Sequence, residues 1–398
     1  MSESGTKQRR VIVVAAIGIT QTLAWASTYY LAAVFADPVS ASLHLAHVWF
    51  FAVFSGALLL SGLFGPLAGR WIDRYGGRDI LAITSLIFAA GLILLSQAQG
   101  PVGLAAAWLV IGIGMGFGLY EAAFATVTRL YGLEARSAIT GITLFAGFAS
   151  TIGWPLSAWF IHDFGWRGAC LAWACLHLAV GLPLNRLLVP KAPSWSPPPA
   201  RRTATAGGMP WTMIVLAGVF GATWFVATAL AAHLPRLLEA LGATPAAAIL
   251  AGACIGPAQV TARLAEFGLL RKAAPMISAR VATGLHPIGV VLVLAFGAPM
   301  AIPFAILHGA GAGLLTIARG TLPLALFGPA GYGLRTGLLA TPSRISQGAA
   351  PVLFGLVLDD AGPRYALALS GGLMALSLIA LLMLGSNVTG ARDGARPS

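Results

Sequence analysis

The sequence predicts an all-α polytopic membrane protein with twelve transmembrane helices, arranged as two pseudo-symmetric six-helix bundles. Three observations predict it. Of the 398 residues, 58% are hydrophobic and 9% charged, whereas soluble domains carry about 25% charged residues. The apolar residues form continuous runs, and about 20 such residues make one span; a β-barrel would need alternation instead. The chain also repeats: Trp25 matches Trp224, Gly65-Pro66 matches Gly256-Pro257, Gly116/Gly118 match Gly311/Gly313, Pro155 matches Pro351 and Arg167 matches Arg364, all at nearly the same separation. The halves are residues 1–188 and 211–398, joined by a proline-rich linker at 189–210.

The net charge of +12 suits a membrane protein better than a nucleic-acid binder, because Lys and Arg sit singly or in pairs between apolar runs. With a cytoplasmic N-terminus, twenty of the 24 basic residues fall in cytoplasmic segments. Arg167, Arg236 and Arg364 fall outside, and Arg344 lies within a span. The positive-inside rule therefore predicts a multi-pass protein of the inner (cytoplasmic) membrane with both termini cytoplasmic. The first apolar run, Val11 to about Phe35, is too long for a signal-peptide core and is read as the first span.

Helix 1, about 11–35, carries Gln21, Trp25 and Thr28 as a polar stripe, and Asp37-Pro38 marks its outer exit. Helices 2 and 3, about 48–68 and 80–98, flank a charged, glycine-rich turn. Helix 4, about 102–125, contains Gly112, Gly114, Gly116 and Gly118 followed by Tyr120-Glu121. Helix 5 covers about 138–161, and the outer loop Asp163-Phe-Gly-Trp-Arg167 leads to helix 6 at about 168–188. Helices 7 to 12 follow at about 211–233, 246–268, 276–296, 299–322, 336–358 and 365–384. Cys170, Cys175 and Cys254 fall within apolar runs and read as buried free thiols, with no disulfide framework or zinc spacing.

The turn after helix 2 holds Gly69-x-x-x-Asp73-Arg74-x-Gly76-x-Arg78. This pattern resembles the loop between helices 2 and 3 of the major facilitator superfamily of secondary transporters. The resemblance implies helices 1, 4, 7 and 10 around a central cavity. It also implies a gating loop whose acidic residue, here Asp73, meets the helix ends of the other half and holds the cytoplasmic side shut. A carboxylate at Asp73 suits a helix N-terminus. Gly77 and Asp79 depart from the family pattern, in which basic residues are common at those positions. The arginine of the helix-4 motif of proton-driven drug antiporters is missing, and Gly153-Trp154-Pro155 only partly matches the helix-5 exporter motif. A degenerate echo of the loop, with Arg263, Glu266, Arg271 and Lys272, follows helix 8.

Polar groups within spans are costly and mark pathways or partners. Glu121 is either a proton carrier or a structural carboxylate paired with Arg129 or another cation. His308 and Arg319 on helix 10 are three turns apart and share a face; His308 binds substrate, passes a proton or packs. Arg344 and Gln347 on helix 11 are one turn apart, and Arg344 calls for an anion, either a substrate carboxylate or an internal acid such as Glu121. Trp25 and Trp224 are expected to line a cavity. His286-Pro287 on helix 9 reads as a kink with a satisfied histidine.

No nucleotide-binding loop, catalytic constellation, metal site or cofactor is expected. The reading is a monomeric secondary transporter that moves a small organic solute, anionic or aromatic and amphipathic, by alternating access with proton coupling. Efflux of a toxic compound, such as a trivalent arsenical or a drug, is the alternative. A non-transporting receptor or assembly factor is the alternative class.

Overall fold

The computed structural model describes residues 3–192, 211–268 and 274–393. It is helical throughout, with no strand among the described residues. Its helices are α1 (Glu3–Ala26), α2 (Leu31–Ser42), α3 (His47–Tyr75), α4 (Arg78–Ser96), α5 (Pro101–Gly118), α6 (Tyr120–Tyr131), α7 (Ala135–Ala146) and α8 (Ala149–Leu176). Then come α9 (Trp211–Ala240), α10 (Pro245–Gly268), α11 (Pro275–Phe296), α12 (Ala301–Phe327), α13 (Tyr332–Asp360) and α14 (Pro363–Asp393). Nine stretches of the described residues are long and apolar enough to cross a membrane, and Pro101–Leu188 alone covers predicted helices 4, 5 and 6. The α13 helix has the length of a span but carries Arg335, Arg344, Asp359 and Asp360. Most of the predicted linker, with Arg271 and Lys272 of the echo, lies outside the described residues.

Several predicted spans are interrupted. Helix 1 breaks after Ala26 and resumes as α2, so Asp37 and Pro38 lie inside a helix instead of marking an exit. Helix 4 breaks at Leu119, whose backbone is extended (φ −84°, ψ −167°). Helix 5 breaks between α7 and α8, and the outer loop at 163–167 shrinks to a kink at Gly165 (φ 66°, ψ 170°), a conformation that favours glycine. The chain then ends its first half in two π-helical turns, His177–Gly181 and Leu184–Leu188.

Contacts divide the chain into two compact units, Met1–Pro198 with Pro323–Arg344, and Pro199–Leu322 with Ile345–Ser398. In the first, the helix-4 glycines serve two neighbours. A Cβ on Gly112 or Gly116 would strike the α3 backbone at Ala57 or Ser61, and one on Gly114 or Gly118 would strike Phe88 or Thr84 of α4. Alternating two-residue spacing thus lets α5 sit close to both helices. The first turns of α13 pack on α3 in the same manner: Gly65 faces Gly337, Gly69 faces Gly333, and Thr341 Oγ1 donates to the Gly62 carbonyl at 2.7 Å. In the second unit Leu230, Leu234, Phe304, Phe354 and Leu367 form the apolar centre.

Candidate functional site

The first unit assembles its polar residues around Trp25. Its ring contacts Tyr120 at 4.9 Å, Tyr29 at 5.5 Å and Tyr30 at 6.3 Å between centroids. The Arg344 guanidinium lies 5.8 Å from the Trp25 ring, within cation–π range. Arg344 also pairs with Glu121, Nη2 to Oε2 at 3.5 Å, with side chains 3% and 17% exposed respectively. Each residue arrives for a local reason. The break at Leu119 puts Glu121 in the first turn of α6, and Gly62 lets the Arg344 stem lie against α3, where a Cβ would come within 2.9 Å.

Gln21, one turn before Trp25, donates from Nε2 to the Gly118 carbonyl at 2.6 Å, next to the break. Thr28 falls beyond the end of α1 and donates to its own Ala24 carbonyl at 2.6 Å, so the expected helical stripe stops at Trp25. Arg129, offered above as a partner for Glu121, donates to the Asp73 carbonyl at 3.2 Å.

The gating residues are mostly helical. Gly69, Asp73 and Arg74 lie in the last turns of α3, so only Gly76-Gly77 forms the turn itself. Gly76 has φ 83°, which a side chain rarely adopts. Asp73 accepts the Gly333 and Leu334 N–H groups at 2.9 and 3.0 Å. Arg74 lies over the Tyr75 ring at 5.2 Å. Asp79, one of the two departures from the family pattern, sits in the first turn of α4, where negative charge is favoured. It accepts from Arg78 at 3.1 Å and lies 3.7 Å from Arg186.

In the second unit the face expected to unite His308 and Arg319 divides. His308 turns to α11, with Nδ1 3.0 Å from His286 Nδ1, while His286 Nε2 is 3.1 Å from Ser370 Oγ. Arg319 instead lies over Trp224 of α9 at 4.6 Å. Gln347 is buried. Cys170 is a buried free thiol, as expected, whereas Cys254 is half-buried and Cys175 is exposed.

Sequence reasoning missed a second polar cluster in the first unit. A small pocket is lined by Thr20, Gln21, Thr84, Ser85, His177 and Asn185 among others. Asn185 donates to the Leu81 carbonyl and to Ser85 Oγ, both at 3.2 Å, and its Oδ1 accepts from Thr20 at 3.1 Å. Ser27 donates to the Leu23 carbonyl at 2.8 Å, which leaves its oxygen to accept from His177 Nε2 at 2.7 Å. Polar residues on helices 1, 3 and 6 were the available signal, but single hydroxyls in apolar helices usually bond their own backbone. The aromatic partners Tyr29, Tyr30 and Tyr120 were likewise not singled out.

A family model described as Major Facilitator Superfamily matches residues 12–302. Human monocarboxylate transporter 11 is 27% identical over 342 residues, 81% of this chain and 71% of that protein. The gallate transporter of Pseudomonas putida is 34% identical over 160 residues, 39% of this chain and 34% of that protein. Among solved structures, the MFS proton:xylose symporter XylE superposes with a TM-score of 0.76 at 13% identity, covering 95% of this chain and 96% of its own. A match to the family model over residues 12–302 means that this chain belongs to the major facilitator superfamily and is a multi-pass membrane transporter.

Proposed function

We propose that the protein is a proton-coupled secondary transporter of small organic anions with an apolar or aromatic body, working by alternating access in the cytoplasmic membrane. The Arg344–Glu121 pair, 3.5 Å apart with Arg344 only 3% exposed, carries this reading. A guanidinium buried so deeply needs an anion, and removing one partner of such a pair costs about 3–5 kcal/mol. A proton on Glu121 would release Arg344, and a substrate carboxylate would then take the place of the Glu121 carboxylate beside it. Charge stays balanced through the exchange, which ties one proton to one anion. Trp25 and its tyrosines offer apolar and aromatic contact to the body of the substrate. The relatives named for a monocarboxylate and for gallate, an aromatic carboxylate, support the same substrate class.

Asp73 is the proposed cytoplasmic latch, since its carboxylate holds the first turn of α13. Gly69 and Gly76 allow the close approach and the turn, and Arg74 and Arg78 set the charge around it. On this reading both termini lie in the cytoplasm and the working unit is the monomer.

The test is uptake of labelled lactate, benzoate, gallate and succinate into proteoliposomes under an inward proton gradient. At least one should accumulate, and Arg344→Gln should abolish accumulation. Failure of all four in the wild type, or normal accumulation in Arg344→Gln, would overturn the reading.

A further inference from the structure

Two stretches of irregular backbone meet one small cavity in the first unit. One is the break at Leu119, and the other is the π-helical turn His177–Gly181. Gly118 and His177 both line the cavity, together with Thr20, Gln21, Thr84 and Ser85. Irregular backbone at membrane depth persists only where its polar groups are served. At the break, the Ala122 N–H bonds to the Leu119 carbonyl, so the Gly118 carbonyl loses its helical partner and accepts from Gln21 Nε2 instead. A carbonyl can only accept, which fixes the orientation of the amide. Gln21 Oε1 is then buried with no partner.

The turn presents a second acceptor. Ser27 gives its proton to the Leu23 carbonyl and therefore accepts from His177 Nε2. A neutral imidazole has one N–H, so His177 Nδ1 carries a lone pair. No hydrogen bond reaches that nitrogen among the described residues. Gln21 and His177 are each only 2% exposed.

We propose that one buried water molecule binds in this cavity, donating to His177 Nδ1 and to Gln21 Oε1, and so joins the π-helical turn to the break before Glu121. A water has two protons to give, and buried acceptors left unmet are costly. Three facts select water over other ligands. The lining hydroxyls of Thr20, Thr84 and Ser85 donate to the Ile17, Ile80 and Leu81 carbonyls, so none is left to bind an anion. No carboxylate lines the cavity, and a cation buried without a counter-charge is expensive. The space open to the centre of a water molecule is about 10 Å³, which suits one water and no organic solute.

Gly181 marks the place. A Cβ there would come 3.2 Å from Ser85 Oγ and 3.4 Å from His177 Nδ1, so both atoms converge on the space that this glycine leaves open.

The experiment uses the purified full chain in lipid, with histidine isotope-labelled at its ring nitrogens, and reads magnetisation transfer from water protons by solid-state NMR. His177→Gln assigns the His177 signals by their loss. His177 Nδ1 should resonate as a bare nitrogen. It should receive water magnetisation several-fold faster than the ring nitrogens of His286, which bond to His308 and Ser370. Gly181→Ala sets a methyl against Ser85 and His177 and should abolish the transfer. Gly218→Ala, with nothing within 4 Å of its Cβ, should leave it unchanged. A protonated Nδ1, transfer no faster than at His286, or transfer that survives in Gly181→Ala would each overturn the water. A His177 shift that follows sodium or ammonium concentration would assign the cavity to a cation and overturn it equally.

Discussion

Asp73 caps the helix that begins beside Gly333: its Oδ1 accepts the Gly333 N–H at 2.9 Å, and its Oδ2 accepts that of Leu334 at 3.0 Å. Helix N-termini favour negative charge, and losing such a cap costs about 0.5–2 kcal/mol. Asp73→Asn removes the charge and turns an NH₂ group toward one of the two donors. The expected result is slower transport with normal membrane insertion and substrate affinity, together with faster hydrogen exchange at Gly333 and Leu334. Wild-type turnover would remove the latch.

The same contact depends on two glycines. A Cβ on Gly69 would collide with the Gly333 carbonyl oxygen, a backbone atom that cannot swing away. Gly69→Ala should therefore force α3 and the start of α13 apart, lower the melting temperature by several degrees and abolish most transport. Gly56, on the same helix with nothing within 4 Å of its would-be Cβ, is the control, and Gly56→Ala should behave as wild type.

Glu121→Gln tests the coupling. The side chain keeps its shape but cannot carry a proton, so pH-driven accumulation should fall to background. Counterflow exchange, which needs no net proton movement, should largely survive. Accumulation that still follows the pH gradient would assign coupling to another residue.

The Asn185 cluster has a stability role that can be measured. Asn185→Leu loses two donated bonds and leaves the Thr20 hydroxyl and Ser85 facing an apolar group. Each loss of this kind costs about 1–3 kcal/mol, so a lower melting temperature is expected. Thr20→Val removes the bonds from Thr20 Oγ1 to Asn185 Oδ1 and to the Ile17 carbonyl and should cost about 1–3 kcal/mol.

The thiols provide a test of the efflux alternative. Replacing Cys170, Cys175 and Cys254 together with Ala should leave anion transport unchanged. Loss of arsenite resistance in cells carrying the variant, with resistance in cells carrying the wild type, would favour a thiol-based metalloid pump.

Much of this architecture was legible before folding because the bilayer is a demanding solvent. Spans must be apolar and about 20 residues long, so their order shows in composition. The motif around Asp73 was readable for its charge and glycine density. The breaks at Ala26, Leu119 and Gly147 were not, since Ser27-Thr28-Tyr29-Tyr30 and Tyr120-Glu121 sit inside longer apolar runs that read as continuous spans. His308 and Arg319 show the limit of periodicity: a shared helical face sets the direction in which two side chains leave, but long side chains choose partners on different neighbours.

The sequence by itself determined the class of protein, the helical spans, the repeat and the residue types able to carry charge inside the membrane. Tertiary structure decided their partners. Arg344 finds Glu121 across 223 positions of the chain, and Asp73 finds Gly333 across 260. Such pairs depend on which helices lie side by side and how closely their glycines allow them to approach. Local propensity carries no record of that distance, so only the packed chain shows which buried charges are balanced and which donors remain open.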